Sequence, residues 1–163
     1  MFVRVFLCAL LIGFAGVASA QNQPAQTQQK PAAQQLTPEQ RAAIQKQNQV
    51  LVQYAESITS MIDNGQSGQV WDQASDVAKK TVSRDQFVKA TESDRAKLGK
   101  VTSRKVEGVT RALSNGKEKL PEGLYVNVNF ATKFSNEAKP VRELVSFHLD
   151  SDKKWRLSGY TVR

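Results

Sequence analysis

Cysteine and histidine occur only once each in these 163 residues, and no apolar run is long enough to cross a membrane. The single cysteine, Cys8, lies inside the N-terminal apolar stretch. The chain beyond it holds no thiol for a disulfide, a metal or a nucleophile, so its stability must come from packing. His148 stands alone among scattered acids, which excludes the dense ligand sets of zinc and transition-metal sites. No glycine-rich phosphate loop follows a strand, since Asn64-Gly65-Gln66-Ser67-Gly68 joins two predicted helices. No metal and no cofactor is therefore expected. Val5 to Val17 is an apolar run of thirteen residues, whereas a spanning helix needs about 20.

What is present begins with that run. Arg4 precedes it and Ala18-Ser19-Ala20 follows, the order of charged region, apolar region and small-residue cleavage site found in secretory signals. Residues 1–20 are expected to be a signal peptide cleaved after Ala20, with the mature chain periplasmic or secreted and without a stable membrane span. Cys8 sits in the middle of the run, which does not suit a lipid-attachment cysteine. The net charge is +8, and residues 79–119 carry 12 basic against 5 acidic side chains. An exported basic protein meets envelope polymers, headgroups and acidic proteins. The expected partner is an envelope protein or an anionic envelope polymer; nucleic acid is not expected.

Residues 21–36 are rich in Gln, Ala and Pro and bury too little apolar surface to offset their ordering entropy, so a disordered leader is expected. A single domain over 37–163 follows. Thr37-Pro38-Glu39-Gln40 is a helix start, Ile44, Leu51, Tyr54, Ala55, Ile58, Met61 and Ile62 recur at helical spacing, and Asn64-Gly65 is a stop. A second helix is predicted from Gly68 to Lys79. A third runs from the capping box Ser83-Arg84-Asp85-Gln86 to Gly99. After Gly99 the period falls to 2, predicting strands over Val101–Leu113, Leu124–Phe134, Val141–Leu149 and Lys154–Val162, with a bulge or bend near Gly108. Short turns between them imply antiparallel neighbours. The expected fold is α+β, with three N-terminal helices packed on a curved four-stranded antiparallel meander.

Four segments carry a resemblance: Trp71-Asp72-Gln73-Ala74-Ser75, Phe87 with Arg95 and Leu98-Gly99, Leu120-Pro121-Glu122-Gly123-Leu124-Tyr125, and Trp155-Arg156-Leu157-Ser158-Gly159-Tyr160. Together they resemble the exported bacterial family called domain of unknown function 4019, over about residues 45–163. The element order is similar to the cone-shaped fold of nuclear transport factor 2 and ketosteroid isomerase. That likeness implies an architecture and no activity.

Strand alternation turns Leu124, Val126, Val128, Phe130, Val145, Phe147, Leu149, Trp155 and Leu157 inward, an almost wholly apolar set able to fill its own core. Tyr125, Asn127, Asn129, Ser146, His148, Arg156, Ser158 and Tyr160 are expected on the opposite, open face. Ser146 beside His148 lacks any nucleophile motif. Asp150-Ser151-Asp152 lacks the further ligands of a calcium loop and reads as a hairpin turn. Asp63, Asp72, Asp76, Glu92 and Asp94 suit capping and solvation better than paired glycosidase carboxylates. The candidate partner or ligand surface is Tyr125, His148, Arg156 and Tyr160, with Arg104, Lys105 and Arg111 from the basic segment. The expected function is a non-catalytic binding or interaction module, with a homodimer through the sheet face as one form. The alternative is a small-molecule isomerase- or hydratase-like enzyme with a pocket between helices and sheet.

Overall fold

The first ordered element is set by its N-terminus. The Thr37 hydroxyl accepts the Gln40 N–H at 3.2 Å while the Gln40 side chain accepts the Thr37 N–H at 2.9 Å, and Pro38 occupies the first turn. This reciprocal cap starts α1 (Pro38–Asp63), whose second half buries Leu51, Ala55, Ile58, Thr59 and Ile62. The computed structural model describes residues 36–117 and 120–163. The expected signal peptide at 1–20 and all but the last residue of the expected leader lie outside the described residues.

The expected second helix is interrupted. It forms as α2 (Ser67–Asp72) and α3 (Asp76–Thr81), because Ser75 takes extended backbone angles and caps α3, its hydroxyl accepting the Val77 N–H at 3.2 Å. The Ser75 N–H leaves the helix to donate to the Leu157 carbonyl at 2.8 Å. A cap side chain and a tertiary bond thus overrule the helical spacing of Trp71, Ala74, Ser75 and Ala78, which by itself favours one continuous helix. The Ser83–Gln86 capping box opens α4 (Arg84–Leu98) as expected.

Four strands follow in sequence order as one antiparallel meander: β1 (Val101–Ser114), β2 (Gly123–Phe134), β3 (Val141–Leu149) and β4 (Trp155–Val162). The architecture is α+β, and residues Leu36–Arg163 form one compact unit. The helices cover one face of the sheet, where Val126, Val128, Phe130, Val145, Phe147 and Leu157 join Leu51, Ala55, Ile58, Val70 and Ala74 in a shared core. Tyr54 stacks on Phe147 with ring centroids 5.1 Å apart.

Three register shifts decide which side chains face the helices, the first leaving Thr102 as an extra residue between the Val101–Phe134 and Ser103–Lys133 pairs. In β1, Val106 pairs with Phe130 and Gly108 with Asn129, leaving Glu107 as an extra residue beside the expected Gly108. In β4, Ser146 pairs with Gly159 and Phe147 with Leu157, leaving Ser158 unpaired. A bulge inserts one residue and reverses the parity of all that follow. Among the described residues no helix is long and apolar enough to cross a membrane.

Candidate functional site

The outward face of the sheet is a ladder of four-residue rungs. Lys105, Ala131, Arg142 and Arg163 form one rung across the four strands. Gly108, Asn129, Leu144 and Thr161 form the next, followed by Thr110, Asn127, Ser146 and Gly159, and then Ala112, Tyr125, His148 and Arg156. Lys133 flanks the first rung opposite Ser103. No side-chain carboxylate occupies any of these paired outward positions, and the exposed Glu107 sits in the β1 bulge between the first two rungs. The two ends of the ladder differ in accessibility and in charge.

At the far end the ladder is closed. Tyr125 is 2 % exposed, and its hydroxyl donates to the Pro121 carbonyl at 2.9 Å. Burial pushes its phenol pKa up. His148 is 7 % exposed and lies 4.9 Å from the Tyr125 ring. Its Nδ1 is 2.7 Å from Asp150 Oδ1, which also accepts the Ser75 hydroxyl at 2.6 Å. Arg156 donates to Asp150 at 2.8 Å and to both Asp152 oxygens at 2.9 and 2.7 Å. Burial alone would raise the Asp150 pKa, but hydrogen bonds from Ser75, His148 and Arg156 outweigh it and hold the carboxyl below its usual range. The Asp150-Ser151-Asp152 turn is thereby a clasp for Arg156 and His148. Among the described residues His148 Nε2 is buried without a partner, and a Cβ placed on Gly123 would collide with it. A His–Asp pair whose second nitrogen is walled in cannot reach a substrate proton.

At the near end the ladder is open and basic. Lys105, Lys133, Arg142 and Arg163 are exposed. Arg142 lies along the sheet because its Nε and Nη2 both donate to Asn129 Oδ1, at 2.9 and 2.7 Å. Four strands at about 4.8 Å spacing make this cationic end roughly 14 Å wide.

The structure divides the sequence-derived candidates. Lys105 is on the open basic end, and Arg156 is on the same face but held by the turn. Tyr125 and His148 point outward yet are covered, by the Pro121 segment and by Ser75. Tyr160 is not on the open face: the Ser158 bulge reverses parity and turns it toward the helices. Arg104 and Arg111 also face the helices, Arg104 because strand alternation sets it opposite Lys105. Arg111 Nη2 donates to Gln47 Oε1 at 2.7 Å. Lys133 and Arg142 were missed, although they share the parity of Tyr125 and His148 on their own strands.

The interior holds a second feature that the expected apolar filling did not foresee. Glu143, 0 % exposed, faces the helices from β3. Its Oε1 accepts Tyr160 Oη at 2.6 Å, Arg104 Nη2 at 3.2 Å and Arg95 Nη1 at 3.3 Å. Its Oε2 accepts Arg104 Nε and Thr132 Oγ1, each at 2.6 Å. Asp63, at the end of α1, accepts Arg104 Nη1 at 3.0 Å and Nη2 at 3.2 Å and also pairs with Arg95 Nη2. Burial alone would raise the Glu143 pKa, but Arg104, Thr132 and Tyr160 outweigh it and hold the group ionised. Burial and the adjacent Glu143 charge push the Tyr160 phenol up. Two guanidiniums against two carboxylates make the cluster neutral, and it ties α1, α4 and all four strands together.

Five donors on one carboxylate exhaust its roughly four lone-pair positions. A general base needs a free lone pair and a pKa near the working pH, and Glu143 has neither. Among the described residues no group of three or more His, Cys, Asp or Glu side chains stands together that could hold a metal ion.

The family described as Protein of unknown function (DUF4019) matches residues 54–160, and the chain belongs to that family. No curated protein and no solved structure matches it.

Proposed function

We propose that this member of the family is an exported, non-catalytic binding module that docks an anionic envelope polymer on the open end of its sheet. The observation that carries the proposal is the rung of Lys105, Arg142 and Arg163 with Lys133 beside it, on a face whose paired outward positions hold no side-chain carboxylate. A one-sign surface attracts a polyanion through summed, salt-dependent Coulomb terms. Arg142 is already held on the sheet by Asn129, so little side-chain freedom remains to be lost on binding. Export is supported by the first twenty residues, with Arg4, the apolar run and Ala18-Ser19-Ala20. The order of helices and strands supports an architecture of the nuclear transport factor 2 kind. Isomerase or hydratase chemistry is the weaker reading because the buried carboxylate has every lone pair occupied.

Binding to immobilised polyphosphate tests the proposal. Retention is expected at about 20 mM salt and its loss by about 300 mM, where the Debye length falls below 8 Å. The triple variant Lys105→Glu, Lys133→Glu, Arg142→Glu should elute without retention while melting near the parent temperature. A control triple on the helices, Lys79→Glu, Lys80→Glu, Lys89→Glu, changes net charge equally and should stay bound. Equal loss in both variants would show that net charge alone drives retention. Phosphatidylglycerol vesicles in place of the polymer give a parallel arm, and preference for vesicles would move the partner from polymer to lipid surface.

A further inference from the structure

Between α2, α3, α4 and β4 lies a cavity of about 230 Å³ that neither the basic face nor the ionic cluster explains. Small residues create it: Ala74 between α2 and α3, Ala78 on α3, Ala90 on α4 and Gly159 on the strand leave space that ordinary core packing would fill. The Ser158 bulge adjoins Gly159 at the strand wall. Its larger walls are aromatic and aliphatic, Trp71, Phe87, Tyr160 and Leu157, and among the described residues Asp94 is the only acidic side chain lining it. Asp94 is exposed on α4 and forms no ion pair among the described residues.

We propose that this cavity is a binding site for a small monoamine with an aromatic or compact hydrocarbon body, its ammonium at Asp94 and its body among Trp71, Phe87 and Leu157. Size, wall chemistry and charge each support the assignment. An apolar cavity of about 150 Å³ accepts benzene, so this one has room for a ring and a short tail. A lone carboxylate at an apolar rim selects a single positive charge and rejects a carboxylate ligand. The site lies on the helix side of the sheet and is independent of the polyanion-docking proposal.

Titration of the full mature chain with phenethylamine, 2-phenylethanol and 3-phenylpropionate tests it. Trp71 fluorescence in a Trp155→Phe background supplies the readout, and isothermal calorimetry repeats the measurement on the unmodified protein. Phenethylamine should bind with a Kd on the order of 1 mM, as expected for so small a ligand, and 3-phenylpropionate at least about tenfold more weakly. Asp94→Asn should weaken phenethylamine about fivefold or more while leaving 2-phenylethanol unchanged. Ala90→Leu, at an exposed helix position compatible with folding, should fill the mouth and abolish both. Equal affinity for amine and carboxylate, an inert Asp94→Asn, full binding by Ala90→Leu, or no binding at about 20 mM would each overturn the assignment.

Discussion

Replacing Glu143 with alanine would leave two guanidiniums facing a space that held their shared acceptor. Arg95 and Arg104 are only 12 % and 15 % exposed at their side chains, so water cannot readily replace the lost carboxylate. Removing one partner of a buried charged network costs about 3–5 kcal/mol, most of it from the uncompensated charge left behind. Asp63 still pairs with both arginines, which places the expectation toward the lower half of that range. The folded unit Leu36–Arg163 spans 128 residues, for which the unfolding entropy near the midpoint is about 0.27 kcal/mol/K. The melting temperature should therefore fall by roughly 10–15 °C. Circular dichroism melts and urea titrations at neutral pH measure both quantities, and an unchanged urea slope would confirm that the same surface unfolds. The double variant Glu143→Ala, Arg104→Met should lose less than the sum of its singles, because the second change removes the charge that the first one orphaned. A Glu143→Ala loss below about 1 kcal/mol, or strict additivity, would refute the view that this cluster holds helices and sheet together.

Three further predictions rest on other local features. Glu143 binds a proton less readily folded than unfolded, so its contribution is complete above about pH 4.5 and is lost as the pH falls through its depressed folded value. Urea midpoints from pH 7 to pH 2.5 should drop on the acid side, and Glu143→Gln should flatten that drop; an identical acid slope in the variant would contradict the assignment. Ser75→Ala deletes both the α3 cap and the donor to Asp150, and is expected to cost about 1–2 kcal/mol in chemical denaturation. A change within about 0.3 kcal/mol would mean that the clasp around His148 contributes nothing. Gly123 sits at φ 150° against the His148 ring, so Gly123→Ala should destabilise by about 1–3 kcal/mol. Gly108→Ala, where an added Cβ meets nothing within 4 Å, is the matched control and should melt at or above the parent temperature.

Local signals in the chain determined most of the elements. The Thr37–Gln40 and Ser83–Gln86 capping boxes, the helical recurrence through Ile62 and the change of period after Gly99 specify the helix starts and the strand meander, because each rests on bonds or side-chain directions within a few residues. The family resemblance was likewise legible in short segments such as Trp71–Ser75 and Trp155–Tyr160. Other outcomes depended on partners distant in sequence. The helix break at Ser75 required the Leu157 carbonyl, and the inward turn of Tyr160 required the Ser158 bulge, which alternation along one strand does not announce. Glu143 carries no motif of its own, and its role rests on Arg95, Arg104, Thr132 and Tyr160, which meet it from four other elements. The same long-range pairing aligned Lys105, Arg142 and Arg163 while covering Tyr125 and His148. Sequence period assigns a side chain to a face, but strand register and the elements packed over that face decide whether water, a partner or another side chain meets it there.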